Sequence, residues 1–176
     1  EASEYIPIFK HDKKIMAFLT IIIILMSIAV RSMASYSMSF PWKDTLLLSI
    51  ITGVMIMVGK AAGGFILDKF KSIPVVIAAI LIPGPMIAFL SSYAAPSLIG
   101  LFLINCSMPL TLYMLYRMIP DYPGFAFGLA ASFLFPGMLI GLGINLTSLL
   151  ILLVFVLNAV FMYIAVKIMK KGNITI

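Results

Sequence analysis

The chain has 176 residues, 63% of them hydrophobic and 10% charged, with a net charge of +6 and a mean hydropathy of +1.20. A soluble domain is about 45–50% apolar and about 25% charged, and a water-soluble fold of about 150 residues buries only about 70% of its chain surface. Composition therefore excludes a soluble enzyme, a nucleic-acid binder and a disordered tail, and points to a polytopic membrane protein.

A hydrocarbon core of about 30 Å takes roughly 20 helical residues, and six apolar segments of that size follow one another along the chain. A leader over residues 1–14 mixes charge with Tyr5, Ile6, Ile8 and Phe9, as an interfacial approach to the membrane would. Spans are expected over residues 15–36, 44–66, 74–92, 96–117, 123–142 and 146–168, followed by a polar tail over 169–176. Phe40-Pro41-Trp42-Lys43 closes the first hairpin, and Asp68-Lys69-Phe70-Lys71 is too polar for lipid. Pro-bounded turns separate the next segments at Ser91 to Pro96 and at Pro120-Asp121-Tyr122-Pro123. The 141–145 stretch is the faintest boundary, but a single helix over 123–168 would be far too long for a bilayer. The first span is too long for a signal-peptide core and has no small-residue cleavage site.

Six spans put the leader, the second and fourth loops and the tail on one side. That side carries Lys10, Lys13, Lys14, Lys69, Lys71, Arg117, Lys167, Lys170 and Lys171, against Lys43 alone on the other. The positive-inside rule then makes both termini cytoplasmic, in a multi-pass protein of the cell (plasma or inner) membrane. Tyr36, Trp42 and Tyr93 fall at the outer edge, where an aromatic belt belongs. A single cysteine, Cys106, and a single histidine, His11, leave no disulfide and no Cys- or His-based metal site. No cofactor and no catalysis are expected.

The two halves of the chain resemble each other. Spans 1–3 and 4–6 each open with a helix that ends near an arginine, Arg31 and Arg117, and pass through a Pro/Asp turn. Each continues into a Gly-rich helix, with Gly53, Gly59, Gly63 and Gly64 in one and Gly124, Gly128, Gly137 and Gly141 in the other. Three crossings are an odd number, so such triplets are inverted relative to each other, a transporter signature.

Two cations lie inside spans. Lys60 is about 12 Å from the cytoplasmic end of span 2, and Arg31 about 6 Å inside the outer end of span 1. At mid-depth a charge costs about 2.5–3.5 kcal/mol or more, so each faces a cavity or a partner unless it snorkels to nearby headgroups. No Asp or Glu lies well inside a span. Intramembrane cations without anions point to an anionic solute, with Lys60 and Arg31 as its counter-charges.

The stretch Gly59-Lys60-Ala61-Ala62-Gly63-Gly64-Phe65-Ile66-Leu67-Asp68-Lys69-Phe70-Lys71-Ser72 resembles the motif between the second and third helices of each half of the major facilitator superfamily. Gly64, Asp68 and Lys69 match, while Lys71 stands where a second Gly belongs and Ser72 where a basic residue belongs. The resemblance implies that Gly64 lets a neighbouring helix approach closely, and that Asp68 latches a cytoplasmic gate with Lys69 beside it. It implies a six-helix, C-terminal half of such a transporter, and spans 1 and 4 would line a central cavity. Candidates there are Ser27, Arg31, Ser35, Asn105, Ser107, Tyr113 and Tyr116, with Asn105 ahead of the other uncharged residues; Ser and Asn also serve simply as helix-to-helix hydrogen bonds. The set Gly128, Gly137 and Gly141 resembles part of the family's antiporter motif, though Leu142 stands where Pro belongs, and close helix packing accounts for it better.

The expected fold is thus an all-α membrane bundle of two inverted three-helix repeats, half of a major-facilitator fold. The expected function is secondary active transport of a small anionic organic solute by alternating access. The partner is an N-terminal six-helix half or a second copy. A six-span substrate-binding subunit of an ATP-driven vitamin importer has the same size but calls for longer outer loops. A purely structural subunit has no use for a buried Lys60.

Overall fold

The computed structural model describes residues 11–70, 77–78 and 80–171, with side chains for 15–66, 69, 77–78 and 80–170. The described residues include seven helices: α1 (His11–Ser37), α2 (Leu46–Phe70), α3 (Pro83–Leu90), α4 (Ala94–Cys106), α5 (Met108–Met118), α6 (Pro123–Gly143) and α7 (Ser148–Lys171). Among the described residues there are no strands. Five stretches are long and apolar enough to cross a membrane: Ile15–Ser37, Leu46–Ile66, Ala94–Met118, Pro123–Gly143 and Ser148–Lys170. Their ends fall within about two residues of those read from the sequence, because twenty apolar residues between breakers leave little freedom. The first part of the expected third span lies outside the described residues. Its visible part is helical at 77–78 and 80–81, turns at Ile82, and resumes as α3 with Pro83 at its first position, where no N–H is needed.

Two expectations are corrected. The fourth span is not one helix: it breaks at Ser107 into α4 and α5, because Pro109 has no N–H to return to the Asn105 carbonyl. The Gly64–Asp68–Lys69 segment is not a loop either, since α2 runs through it to Phe70.

α1 packs on α6 and α7, α2 on α4 and α5, and α3 on α4 and α7. Glycines set the two closest approaches. A Cβ on Gly137 would lie 2.3 Å from the Ala29 carbonyl oxygen, and one on Gly141 2.5 Å from that of Met33. A Cβ on Gly59 would lie 2.6 Å from the Phe102 carbonyl oxygen, and one on Gly63 2.2 Å from that of Cys106. In both pairs residue numbers rise together, so α1 and α6 run parallel, as do α2 and α4. Both are small-xxx-small contacts, which let backbones touch and gain dispersion where lipid supplies no hydrophobic drive.

At one end of the bundle the Trp42 indole N–H donates to the Ser91 carbonyl at 2.9 Å. A cavity of about 180 Å³ at the same end is lined by Ser39, Phe40, Ser91, Asn145 and Leu146 among others. The connections 38–45, 91–93 and 144–147 therefore meet there, as alternate loops of an up-and-down bundle should.

Candidate functional site

The buried side chains form two apolar clusters with a polar layer between them. One cluster includes Ile24, Ile28, Met114, Met162 and Met169; the other, toward the Trp42 end, includes Ala34, Ile87, Ile104, Val154 and Phe155. Along α1 the first cluster stops at Ile28 and the second takes up Ala34; along α7 the second stops at Phe155 and the first begins at Ala159. Arg31, Ser107 and Asn158 occupy the level in between, and Ser27 borders it beside Ile28, each at most 7% exposed.

Two hydrogen bonds build this layer. The Ser27 hydroxyl donates to the Asn158 side-chain carbonyl, joining α1 to α7. Arg31 Nη1 donates to Ser107 Oγ at 3.3 Å, joining α1 to the α4–α5 break. Ser107 in turn donates to the Ile104 carbonyl at 2.6 Å. A third bond from α1 to another helix, from Ser32 Oγ to the Leu134 carbonyl at 2.8 Å, reaches α6 beside Pro136.

Arg31 is therefore interior and does not snorkel. A helical side chain leans toward its own N-terminus, which in α1 points away from the Trp42 end, the nearer end for Arg31. The guanidinium accordingly reaches Ser107, near the middle of the span Ala94–Met118. It carries five donors and a full charge, and among the described residues no carboxylate pairs with it. A serine hydroxyl offers hydrogen bonding but no countercharge.

The other sequence candidates scatter. Lys60 is exposed on the outward side of α2, while its neighbour Gly59 packs against Phe102 and Asn105. Asn105 donates its amide back to the Leu101 carbonyl of its own helix at 2.7 Å and lies in the α2–α4 contact. Tyr113 is half-buried and Tyr116 exposed, opposite the buried arc of Leu110, Thr111, Met114 and Leu115 on α5. Ser35 is exposed. Within these residues a Cβ on Gly64 would meet nothing within 4 Å, whereas Gly59 and Gly63 carry the close approach of α4 to α2. The side chain of Asp68 lies outside the described residues, and Lys69 is exposed. Among the described residues no group of His, Cys, Asp or Glu is arranged to hold a metal.

Asn158 is the site residue that sequence reading overlooked. The available signal was an amide in the middle of a 24-residue apolar helix with a mean window hydropathy of 2.8. Interhelical bonds of this kind are worth about 0.6 kcal/mol on average and up to about 1.7. Asn158→Leu should thus cost under about 2 kcal/mol in detergent unfolding. Ser27→Ala should cost no more on its own, and the double variant should cost less than the two singles added, since both remove one bond.

No family model, no curated protein and no solved structure matches the chain. Fold and site together define a class: an all-helical, multi-pass membrane protein with a charged, polar layer buried at the middle of its bundle.

Proposed function

We propose that this bundle is one half of an alternating-access secondary transporter in the cell membrane, with both termini cytoplasmic, and that it moves a small anionic solute. One observation carries the reading: Arg31 is buried at mid-span with a neutral hydroxyl as its hydrogen-bond partner. A buried cation without an anion is costly, and a transporter recovers that cost when the solute supplies the negative charge. Arg31 is the counter-charge, Ser107 and Ser27 offer hydrogen bonds around it, and the break at Ser107 is where span 4 bends to open the guanidinium to the solute. Asp68 and Lys69 at the end of α2 fasten the cytoplasmic side against the partner half.

The helix pairing supports inverted triplets. Exchanging spans 1–3 with spans 4–6 turns the α1–α6 contact into the α2–α4 contact, and α1–α7 into α3–α4. It turns α3–α7 into itself. The glycine pairs exchange in the same way, Gly137 and Gly141 for Gly59 and Gly63.

Thermal unfolding of the purified full assembly against a panel of small carboxylates, phosphates, sulfonates, amines and neutral polyols tests this. Binding at about 100 times Kd adds about 2.7 kcal/mol of stability. Stabilisation by members of the anionic set, absent in Arg31→Met, is the expected result; stabilisation by amines or polyols that persists in Arg31→Met contradicts it.

A further inference from the structure

We infer that the outward face of α2 docks against a membrane helix from outside these 176 residues, and that this helix carries an aspartate or glutamate level with Lys60. The inference rests on the helices crossing a bilayer, and it holds whether or not the assembly moves a solute.

α2 and α6 are the least buried of the membrane-length helices, at 17% and 22%, where α1, α7 and the α4–α5 span reach 44–50%; of the two, only α2 carries a charged side chain within its span. Its two glycine rows differ. Gly59 and Gly63 are filled by α4, whereas a Cβ on Gly53 or Gly64 would meet nothing within 4 Å. Gly53, Met57, Lys60 and Gly64 follow each other at helical spacings of four, three and four residues, so they form one line on the open side. Lys60 thus stands between two vacant glycines, where a second backbone has room to come close and meet the ammonium.

Lipid is a poor occupant of this face. Lys60 is six residues, or about 9 Å, inside the span end at Ile66, and its side chain leans toward the start of α2, deeper into the membrane. An ammonium facing hydrocarbon there costs about 2.5–3.5 kcal/mol near mid-depth. A second copy of this chain is no better. Its six acidic residues are Glu1, Glu4, Asp12, Asp44, Asp68 and Asp121. The first three precede the spans, Asp44 and Asp121 lie between helices, and Asp68 is eight residues, or about 12 Å along the axis, from Lys60. A copy in the same orientation keeps that offset and sets no carboxylate opposite Lys60. A partner that neutralises this face brings its acid from other sequence.

A lipid-soluble carbodiimide joins an ammonium and a carboxylate that touch, with loss of water taken up by the reagent. Native membranes holding the full assembly are treated, digested and sequenced by mass spectrometry. The expected product links Lys60 to an Asp or Glu in an apolar segment absent from these 176 residues. Lys60→Arg abolishes the link, because a guanidinium is not coupled, yet changes the assembled fraction by less than about twofold, since the charge persists. Lys60→Leu lowers that fraction roughly tenfold or more, the effect of losing about 1.4 kcal/mol. A link from Lys60 to Asp68 or Asp44 of a second copy overturns the inference, as does an unlinked Lys60 whose Leu variant assembles as well as the parent. Neither readout measures transport, so a failure here is distinct from a failure to find an anionic solute.

Discussion

Arg31→Met should leave the bundle as stable as the parent or more stable, while solute uptake by the full assembly falls by about 100-fold or more. The two effects have one cause. Arg31 is 7% exposed and its charge meets no carboxylate among the described residues. Replacing a buried charge by a well-packed apolar side chain of similar volume is often neutral or stabilising by about 1–4 kcal/mol. Methionine is unbranched and adaptable like the arginine stem, and the lost partner, Ser107, keeps its bond to the Ile104 carbonyl. The proposed anionic solute, however, would lose its counter-charge, and about 2.7 kcal/mol of binding corresponds to that hundredfold. Arg31→Lys should retain part of the uptake, since an ammonium keeps the charge but not the planar fork. A midpoint from thermal unfolding, measured beside uptake into proteoliposomes, separates the two effects. If Arg31→Met unfolds the bundle, the residue is structural and the transport reading loses its support.

The second large effect is expected at Gly63. A methyl group there would sit 2.2 Å from the Cys106 carbonyl oxygen and 2.6 Å from its Cα, and both are backbone atoms that a rotamer change cannot move. Gly63→Ala must push α2 away from α4, and overpacking of this kind costs about 1–3 kcal/mol, occasionally more. The adjacent Gly64→Ala meets open space and should change the bundle's own unfolding by under about 0.5 kcal/mol. Gly137→Ala, 2.3 Å from the Ala29 carbonyl oxygen, should match Gly63→Ala, and Gly128→Ala should match Gly64→Ala. Equal effects at Gly63 and Gly64 would contradict the packing of α2 on α4.

This contrast also marks how far the sequence was readable. The spans were legible because burial in lipid demands long apolar runs, and Pro41, Pro96 and Pro120 cut those runs cleanly. Facing was not. Gly63 and Gly64 are identical in type and adjacent in sequence, yet one residue turns the helix by about 100°, from the α4 contact to open space. The family-like spacing selected Gly64, while packing selected Gly59 and Gly63. Depth was legible for backbones and not for heads: counting residues set Arg31 near a span end, but the backward lean of the side chain carried its guanidinium to mid-span. The break at Ser107 had a visible cause in Pro109, whose effect is masked in sequence by apolar residues on both sides. Asn158 was visible as an amide in an apolar helix, but its partner Ser27 lies 131 residues away, and no local spacing pairs the two.

Counterflow tests most directly whether the buried Arg31 serves an anionic solute. Proteoliposomes containing the full assembly are loaded with an unlabelled carboxylate, phosphate or sulfonate and diluted into a trace of the labelled compound, in parallel with neutral and cationic analogues. Transient accumulation of an anionic compound, lost in Arg31→Met, is the predicted result. Accumulation of a neutral or cationic analogue alone, undiminished in Arg31→Met, would contradict the account.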